Sequence, residues 1–364
     1  LQVVGAHDNA QVLYPASSYN AEKIIAAERR YSHCLTVEKI LRTKAVVLRN
    51  AGGPEALQLE TVAIGSPGEG QLHVRHAAIA VNFHDTYVRS GLYKTLPLPG
   101  IMGLEAAGVV EKVGTGVTGF SIGDRIAYLD SGYGAYSTER ILDAARAVSL
   151  PDGVPMEFAA AFFLKGVTAA ILVTEVHPIR PGQWILAHAA AGGVGRILVQ
   201  WARELGARII GTVGSPEKAE IARAEGCEVV IPYREEPFAP RVKEITGGRG
   251  VDVVFDAVGR DTFDGSLECL ALRGHLVNYG QSSGPVPPFD ISRLAVKSAT
   301  LTRAGYAHYI PEPGDLERLA NALWERVGDG RLNLRIGQRF SLADAAEAHR
   351  ALEARGASPI ILVP

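Results

Sequence analysis

From residue 43 onward the hydrophobic and polar positions fall into two successive rhythms. Residues 44–48 and 71–75 read as short strands, separated by turns that contain Gly and Pro. Residues 107–113 and 125–128 add two more, with Gly114-Thr115-Gly116 and Ile122-Gly123-Asp124 as turn chemistry. The pattern predicts a β-rich N-terminal domain. After about Gly166 it changes to strand, turn and helix in succession, as a parallel sheet with crossover helices requires. The strands of this second domain are expected at 184–188, 208–213, 228–231, 251–257 and 275–279, each apolar enough to be covered on both faces. No repeat of solenoid period is present.

Residues 1–42 follow neither rhythm. They lack an initiating Met, and residues 21–30 read as a mostly polar helix without a core partner. A basic start followed by an apolar stretch, the mark of a secretory signal, is absent, and the segment is set aside as an extension of uncertain status.

Composition sharpens the picture. With 364 residues, 47% of them hydrophobic, the chain can fill two packed domains. Lys and Arg (37) nearly balance Asp and Glu (39), and no block of like charge occurs. A nucleic-acid or anionic-membrane footprint is therefore not expected. Cys34, Cys227 and Cys269 are too far apart for a ligand cluster or a disulfide framework, which points to a reducing cytoplasm and no structural zinc. The apolar runs 158–164 and 185–199 are ended or interrupted by Lys165, His188 and Arg196, short of the roughly 20 residues of a membrane span, so no transmembrane helix is expected.

The most informative motif opens the second domain. Trp184-Ile185-Leu186 runs into Ala189-Ala190-Ala191-Gly192-Gly193-Val194-Gly195, followed by a helical stretch at 196–205. A strand that ends in a glycine turn at a helix N-terminus lets backbone N–H groups approach a pyrophosphate, where the helix dipole also favours negative charge. NAD binding would call for an acidic residue at the end of the second strand. That strand ends instead in Gly211-Thr212-Val213-Gly214-Ser215, with Lys218 one helical turn later. Gly214, Ser215 and Lys218 suit a phosphate, so NADPH is favoured over NADH, although Glu217 offsets the local charge.

Gly182-Gln183, Leu186, the Ala190 to Gly195 turn, Gln200 and Arg203 together resemble the signature of the quinone oxidoreductase/zeta-crystallin family of medium-chain dehydrogenases/reductases. The stretch from Asn82 to Tyr93, Phe163-Leu164-Lys165-Gly166, Pro232-Tyr233-Arg234-Glu235-Glu236, Val258-Gly259-Arg260-Asp261-Thr262 and Ser282-Ser283-Gly284 extend the likeness to essentially residues 43–364. The resemblance implies an α/β fold in which a GroES-like catalytic domain (43–165 and 304–364) flanks a Rossmann NADPH-binding domain (166–303), with the active site between them. It implies that Asn82 and Tyr87 line the nicotinamide, that Lys165 and Thr168 hold the cofactor, and that Gly192, Gly193 and Val194 face the pyrophosphate. It assigns Lys218 and Tyr233 to the 2′-phosphate and completes the pocket with Tyr279, Gly280, Ser282 and Arg355. Tyr279 stands where related chains often carry Phe, and the segment after Arg355 is shorter than in those chains. The family also implies a homodimer.

Zinc-dependent relatives place an early Cys, a Gly-His-Glu segment and a later Cys in the catalytic domain. Here Asn82 and Leu104 stand in the regions of the first Cys and the His, and Asp85 and Glu105 alone are too few for a tetrahedral site. No metal is expected. Without a Lewis acid the remaining chemistry is hydride donation to an electron-poor acceptor, a quinone or a conjugated enone, with Asn82, Tyr87 and Tyr93 as candidate catalytic residues. Loops 92–98 and 303–313 are expected to shape the acceptor pocket, with Tyr93, Tyr306 and Tyr309 to stack on a flat ring. His188 reads as a core histidine, and alternation with Phe83 turns His84 away from the cofactor. Cys227 and Cys269 read as small core residues. An enone or alkenal reductase, a non-catalytic NADPH-binding sensor and an RNA-binding protein stand as alternatives, the last opposed by the absence of a basic stripe or an aromatic RNA-binding motif.

Overall fold

The computed structural model describes residues 41–354 and 358–364. The polar helix expected at 21–30, Cys34 and Arg355 lie outside the described residues. The chain runs through β1 (Leu41–Leu48), β2 (Leu57–Ile64), β3 (Gln71–Val81), α1 (Phe83–Arg89), β4 (Gly100–Ile101), β5 (Glu105–Val113), β6 (Arg125–Leu129), β7 (Glu139–Asp143) and β8 (Ala147–Ser149) into the long helix α2 (Met156–Ile171). Then come β9 (Trp184–His188), α3 (Gly193–Glu204), β10 (Arg208–Val213), α4 (Pro216–Glu225), β11 (Val229–Pro232), α5 (Phe238–Ile245), β12 (Val251–Asp256), α6 (Phe263–Cys269), β13 (Leu270–Asn278) and β14 (Thr300–Arg303). The chain closes with α7 (Pro313–Gly328), β15 (Gln338–Ser341), α8 (Ala345–Glu353) and β16 (Ile360–Val363).

The first rhythm becomes two antiparallel-rich sheets. One has the order β2-β1-β4; the other runs β15-β16-β3-β5-β6-β8, with β7 also paired to β3. Strand β16 lies antiparallel to β3, Ile361 opposite Ala80, so the last residues of the chain complete a sheet begun near residue 71. The second rhythm becomes a six-stranded parallel sheet in the order β11-β10-β9-β12-β13-β14. Numbered within the sheet this is 3-2-1-4-5-6, the doubly wound Rossmann order, and its direction reverses between β9 and β12. Strand β9 is buried along its whole length, as its apolar sequence requires.

The structure shifts several expected boundaries. β1 starts at Leu41, and β3 continues to Val81 because residues 78–81 pair with β5 or β16. β13 begins at Leu270, but a register shift after Val251 loops four of its residues out, and continuous pairing resumes at His275 as the alternation predicts.

Helix α2 is the element most at odds with its sequence reading. Lys165 does not interrupt the apolar run: Met156–Val176 is long and apolar enough to cross a membrane by length and composition, and 78% of the apolar window is buried inside the fold. The lysine is itself buried and paired, so it remains within a core helix. One side of α2 packs on β3, β5 and β6, and other faces meet α3 and α7. Gly166 permits the closest approach, since a Cβ there would lie 2.3 Å from Leu323 Cδ2. One turn earlier the rings of Phe163 and Trp324 stack with centroids 5.6 Å apart. The domain break expected between 165 and 166 thus falls inside a continuous helix that contacts both sheets' surroundings.

Candidate active site

The glycine turn forms as a strand-to-helix connection. Ala189 takes a left-handed conformation (φ 52°), Gly192 caps α3, and the helix begins at Gly193, three residues earlier than the apolar periodicity suggests. The Gly192 N–H is occupied by Ala189 O at 2.7 Å, so the first-turn N–H groups from Gly193 onward are the ones a bound anion would meet. A Cβ on Gly195 would stand 2.2 Å from Ala189 O, and one on Gly192 would stand 3.0 Å from the same oxygen. The turn therefore fits a dinucleotide, with backbone close enough to be approached and no side chain projecting from Gly192, Gly193 or Gly195.

Beside it, β10 ends at Val213, and the Tyr233 N–H donates to Val213 O at 3.1 Å. The Tyr233 hydroxyl overlies Gly214, 3.1 Å from where a Cβ would be, with Arg234 Nε at 3.7 Å. Gly214, Tyr233 and the start of α4, which carries Ser215 as its N-cap and Lys218 in its first turns, are thereby brought together. Glu217, with its carboxyl held low by the Ser215 hydroxyl, engages that serine. Arg234 is a second cation here that the sequence reading quoted without a role.

At the carboxyl ends of β12 and β13, the N–H groups of Tyr279 and Gly280 both donate to Asp256 O, at 2.9 and 3.3 Å. Gly280 sits so close that a Cβ would be 2.6 Å from Ala257 O. Ser282 is anchored through its N–H to the same Ala257 O. His188 is buried and bonded to Thr212 and Ser266, the satisfied core histidine the sequence indicates. Cys227 and Cys269 are buried free thiols, pushed up to about 12 by burial.

The other half of the site is a buried polar network. Asn82 caps α1, its own N–H donating to Asp85 Oδ2 at 2.8 Å. Its side-chain Nδ2 donates to Glu105 Oε1 at 2.7 Å, and its Oδ1 accepts from Lys165 Nζ at 2.7 Å. Glu105 Oε2 accepts the Leu164 N–H at 2.6 Å, and Lys165 Nζ lies 3.8 Å from Glu105 Oε1. Burial pushes the Glu105 carboxyl up and the Lys165 ammonium down, while each draws the other toward its charged form. Asp85 accepts a second hydrogen bond from the Tyr136 hydroxyl at 3.2 Å, and that hydroxyl also meets His349 Nε2 at 3.0 Å. Arg89 contacts His349 and closes the chain on Glu353. Burial raises Asp85 to about 7 and lowers His349 to about 3.

Against this network lies an aromatic group. The rings of Tyr87 and Tyr93 meet edge to face at 5.2 Å, and His84 packs edge to face on Tyr93 at 5.3 Å. Arg303 donates to the Tyr93 hydroxyl at 3.0 Å, tying loop 92–98 to the end of β14. Tyr306 and Tyr309 occupy a single 3-10 turn, half-buried against the core. Burial lifts Tyr87 to about 12. Residues 83–89 are helical, so the two-residue alternation does not apply to His84, whose ring packs among the tyrosines with its Nε2 3.0 Å from the Tyr133 hydroxyl. Desolvation lowers it to about 4.

Asn82, Lys165, Tyr87 and Tyr93 are thus drawn into one neighbourhood. Thr168 lies three residues beyond Lys165 on the same helix, half-buried. Tyr133, Tyr136 and His349 are not singled out by the sequence, for no local pattern links residues so far apart, whereas Arg303 opens the loop expected to shape the acceptor pocket. The Asn82-x-x-Asp85 spacing did carry a readable signal, that of a helix cap.

Comparison with known proteins adds the following. Residues 68–152 match the alcohol dehydrogenase GroES-like domain and residues 193–323 the zinc-binding dehydrogenase family. The chain is 46% identical over 305 residues to a quinone oxidoreductase of Pseudomonas aeruginosa, covering 84% of this chain and 94% of that protein. It is 42% identical over 328 residues to a 2-haloacrylate reductase of a Burkholderia species, covering 88% and 98%. The crystal structure of Escherichia coli quinone oxidoreductase complexed with NADPH superposes with a TM-score of 0.86 at 43% identity, covering 88% of this chain and all of that one. The residues here do not fit the zinc ion of the second family's description. Among the described residues no three His, Cys, Asp or Glu side chains converge, and the oxygens of Glu105 already accept from Asn82 and Leu164.

Proposed function

The chain belongs to the quinone oxidoreductases of the medium-chain dehydrogenase/reductase superfamily, and from that premise we propose that it reduces quinones with NADPH without a metal. The observation that carries the reading is the coincidence of the α3 glycine turn, the Lys165–Asn82–Glu105 network and the Tyr87/Tyr93 pair around one site. When bound, NADPH supplies the hydride. The first-turn N–H groups of α3 at Gly193 and Val194, with Gly192 as their cap, hold the pyrophosphate. Gly214, Ser215, Lys218 and Tyr233 take the 2′-phosphate, with Arg234 beside them. Tyr279, Gly280, Ser282 and Thr168 line the nicotinamide half of the groove, and Arg355 is kept as a C-terminal contact.

Asn82 and Tyr87 orient the reacting ring, and Tyr93, fixed by Arg303, borders the acceptor. Tyr87, lifted to about 12, keeps its proton at neutral pH and acts as a hydrogen-bond donor to a developing oxyanion. Solvent then supplies the proton. The catalytic unit comprises 43–165 and 304–364, the nucleotide unit 166–303. Leu272, Ile291 and Val296, each more than 70% exposed beside edge strand β14, support a homodimer through that edge. Among the described residues the free thiols of Cys227 and Cys269 support a cytoplasmic location.

A second reading has its own support in the likeness to a 2-haloacrylate reductase: the acceptor is an electron-poor alkene. Purified protein assayed for NADPH consumption with a simple quinone and a simple alkenal in parallel decides between them. Faster turnover of the quinone supports the first reading, and faster turnover of the alkenal replaces it.

A further inference from the structure

We infer that Lys165 is a positioning residue for the Asn82 amide rather than a ligand of the cofactor's phosphates, and that Gly193 is a glycine because the Lys165 side chain crosses it. The inference rests on the nicotinamide reading above. Three observations carry it.

The first is where the lysine goes. It leaves α2 buried, and its ammonium reaches Asn82 Oδ1 at 2.7 Å and Glu105 Oε1 at 3.8 Å. Its charge is thereby answered inside the protein by a fully buried carboxylate. A cation already neutralised in this way has little long-range attraction left for a pyrophosphate.

The second is what occupies the space over each glycine. A Cβ on Gly195 or Gly192 would meet the backbone of Ala189, at 2.2 and 3.0 Å. Those two are demanded by the turn itself. For a Cβ on Gly193 the three nearest heavy atoms all belong to the Lys165 side chain, Cδ at 3.0 Å and Cε at 3.1 Å among them. Of the three, Gly193 is the one whose nearest contacts come from a side chain of another element.

The third is the hydrogen-bond logic of the amide. Asn82 Oδ1 faces an ammonium, which only donates, and Nδ2 faces a carboxylate, which only accepts. A flipped amide would set donor against donor and acceptor against acceptor. Lys165 and Glu105 together therefore fix which end of the amide is which, and leave its second N–H as the one free to be offered to the reacting ring or the acceptor. The middle glycine of the dinucleotide turn thus serves the catalytic half of the molecule.

A double-mutant cycle tests this. Gly193→Ala is made in the native and in the Lys165→Ala background, with the NADPH Kd measured by fluorescence titration without acceptor and kcat with a quinone. In the native background Gly193→Ala lowers kcat by roughly ten- to a hundredfold, the cost of a misplaced catalytic group, while Kd stays within about threefold. In the Lys165→Ala background it has no further effect beyond the roughly twofold scatter of independent sites. Lys165→Met, which keeps a shaft and removes the charge, lowers kcat but leaves the salt dependence of the NADPH Kd unchanged, and it serves also where the alanine variant fails to fold. Overturning results are a Kd that Gly193→Ala raises by the same factor in both backgrounds, which returns the glycine to the pyrophosphate, or a shallower salt dependence in Lys165→Met, which returns the lysine to a phosphate. The Kd cycle is read without acceptor, so a wild type that binds NADPH but turns over no quinone contradicts the functional reading and leaves this cycle interpretable.

Discussion

The two halves of the site are built by different means. The nucleotide half is made largely of backbone: the turn before α3, the close approach at Gly280, the strand ends at Asp256 and Asn278. The catalytic half is made of side chains gathered from five separate segments, with Asn82, Glu105, Tyr136, Lys165 and His349 buried in one network. Where one backbone segment lies against another, as at Gly195 and Gly280, a backbone site leaves no room for an added carbon but needs few particular side chains. Side-chain networks tolerate changes of shape better, but a single lost partner leaves a charge buried and unanswered. The halves should therefore fail differently when perturbed.

Glu105→Ala gives the largest effect. It strands the Lys165 ammonium in the core, and a loss of about 3–5 kcal/mol is expected from breaking a buried pair, read as a lower midpoint in urea. Glu105→Ala/Lys165→Met should recover much of it, and no recovery would mean the pair is not coupled. Gly195→Ala strikes the nucleotide half, where the added Cβ would lie 2.2 Å from Ala189 O. About 1–3 kcal/mol of destabilisation is expected for overpacking, together with weakened NADPH binding that no side-chain replacement restores.

Lys218→Glu leaves the turn intact and reverses a charge near the 2′-phosphate. Loss of a charge-assisted hydrogen bond of about 1.5–3 kcal/mol corresponds to a rise in NADPH Kd of roughly ten- to a hundredfold, with NADH little changed. Equal losses for both cofactors would remove the lysine from that role. His84→Phe gives the smallest change at neutral pH and shows itself only on acidification. The His84 pKa is lowered to about 4 in the fold, so its neutral form is favoured there, and its contribution is present above the ordinary value near 6.5 and is lost as pH falls toward 4. The variant should flatten the decline of stability across that window by up to about 1.4 kcal/mol per pH unit, and an unchanged slope would show that His84 titrates normally.

The same contrast decides how much was legible in the sequence. The nucleotide half could be read because backbone demands leave local traces: β9 is apolar up to His188, its last residue, and Gly192, Gly193 and Gly195 follow it at fixed spacing. Five of the six Rossmann strands are legible to within about five residues for that reason, whereas the edge strand β14 is not among those expected. The catalytic half left fewer traces, since Arg89 and His349 are 260 positions apart in the chain. Asp85 and Glu105 were weighed only as metal ligands, because sequence shows a carboxylate but not the donors that fold onto it. In the sequence Lys165 reads as the end of an apolar run and, by family likeness, as a cofactor contact, because its buried partner lies 60 residues away on β5. A period-two argument cannot orient His84, because the segment that carries it is a helix.

The central claim, that both halves act together to pass a hydride from NADPH to a quinone, is tested most directly by rapid mixing. Protein saturated with NADPH is mixed with a simple quinone, and the reduced-nicotinamide absorbance is followed, with NADH as the parallel cofactor. The NADPH signal should decay at least as fast as steady-state turnover, with a much smaller response from NADH at the same concentration. NADPH that stays bound and unconsumed in the presence of the quinone would contradict it.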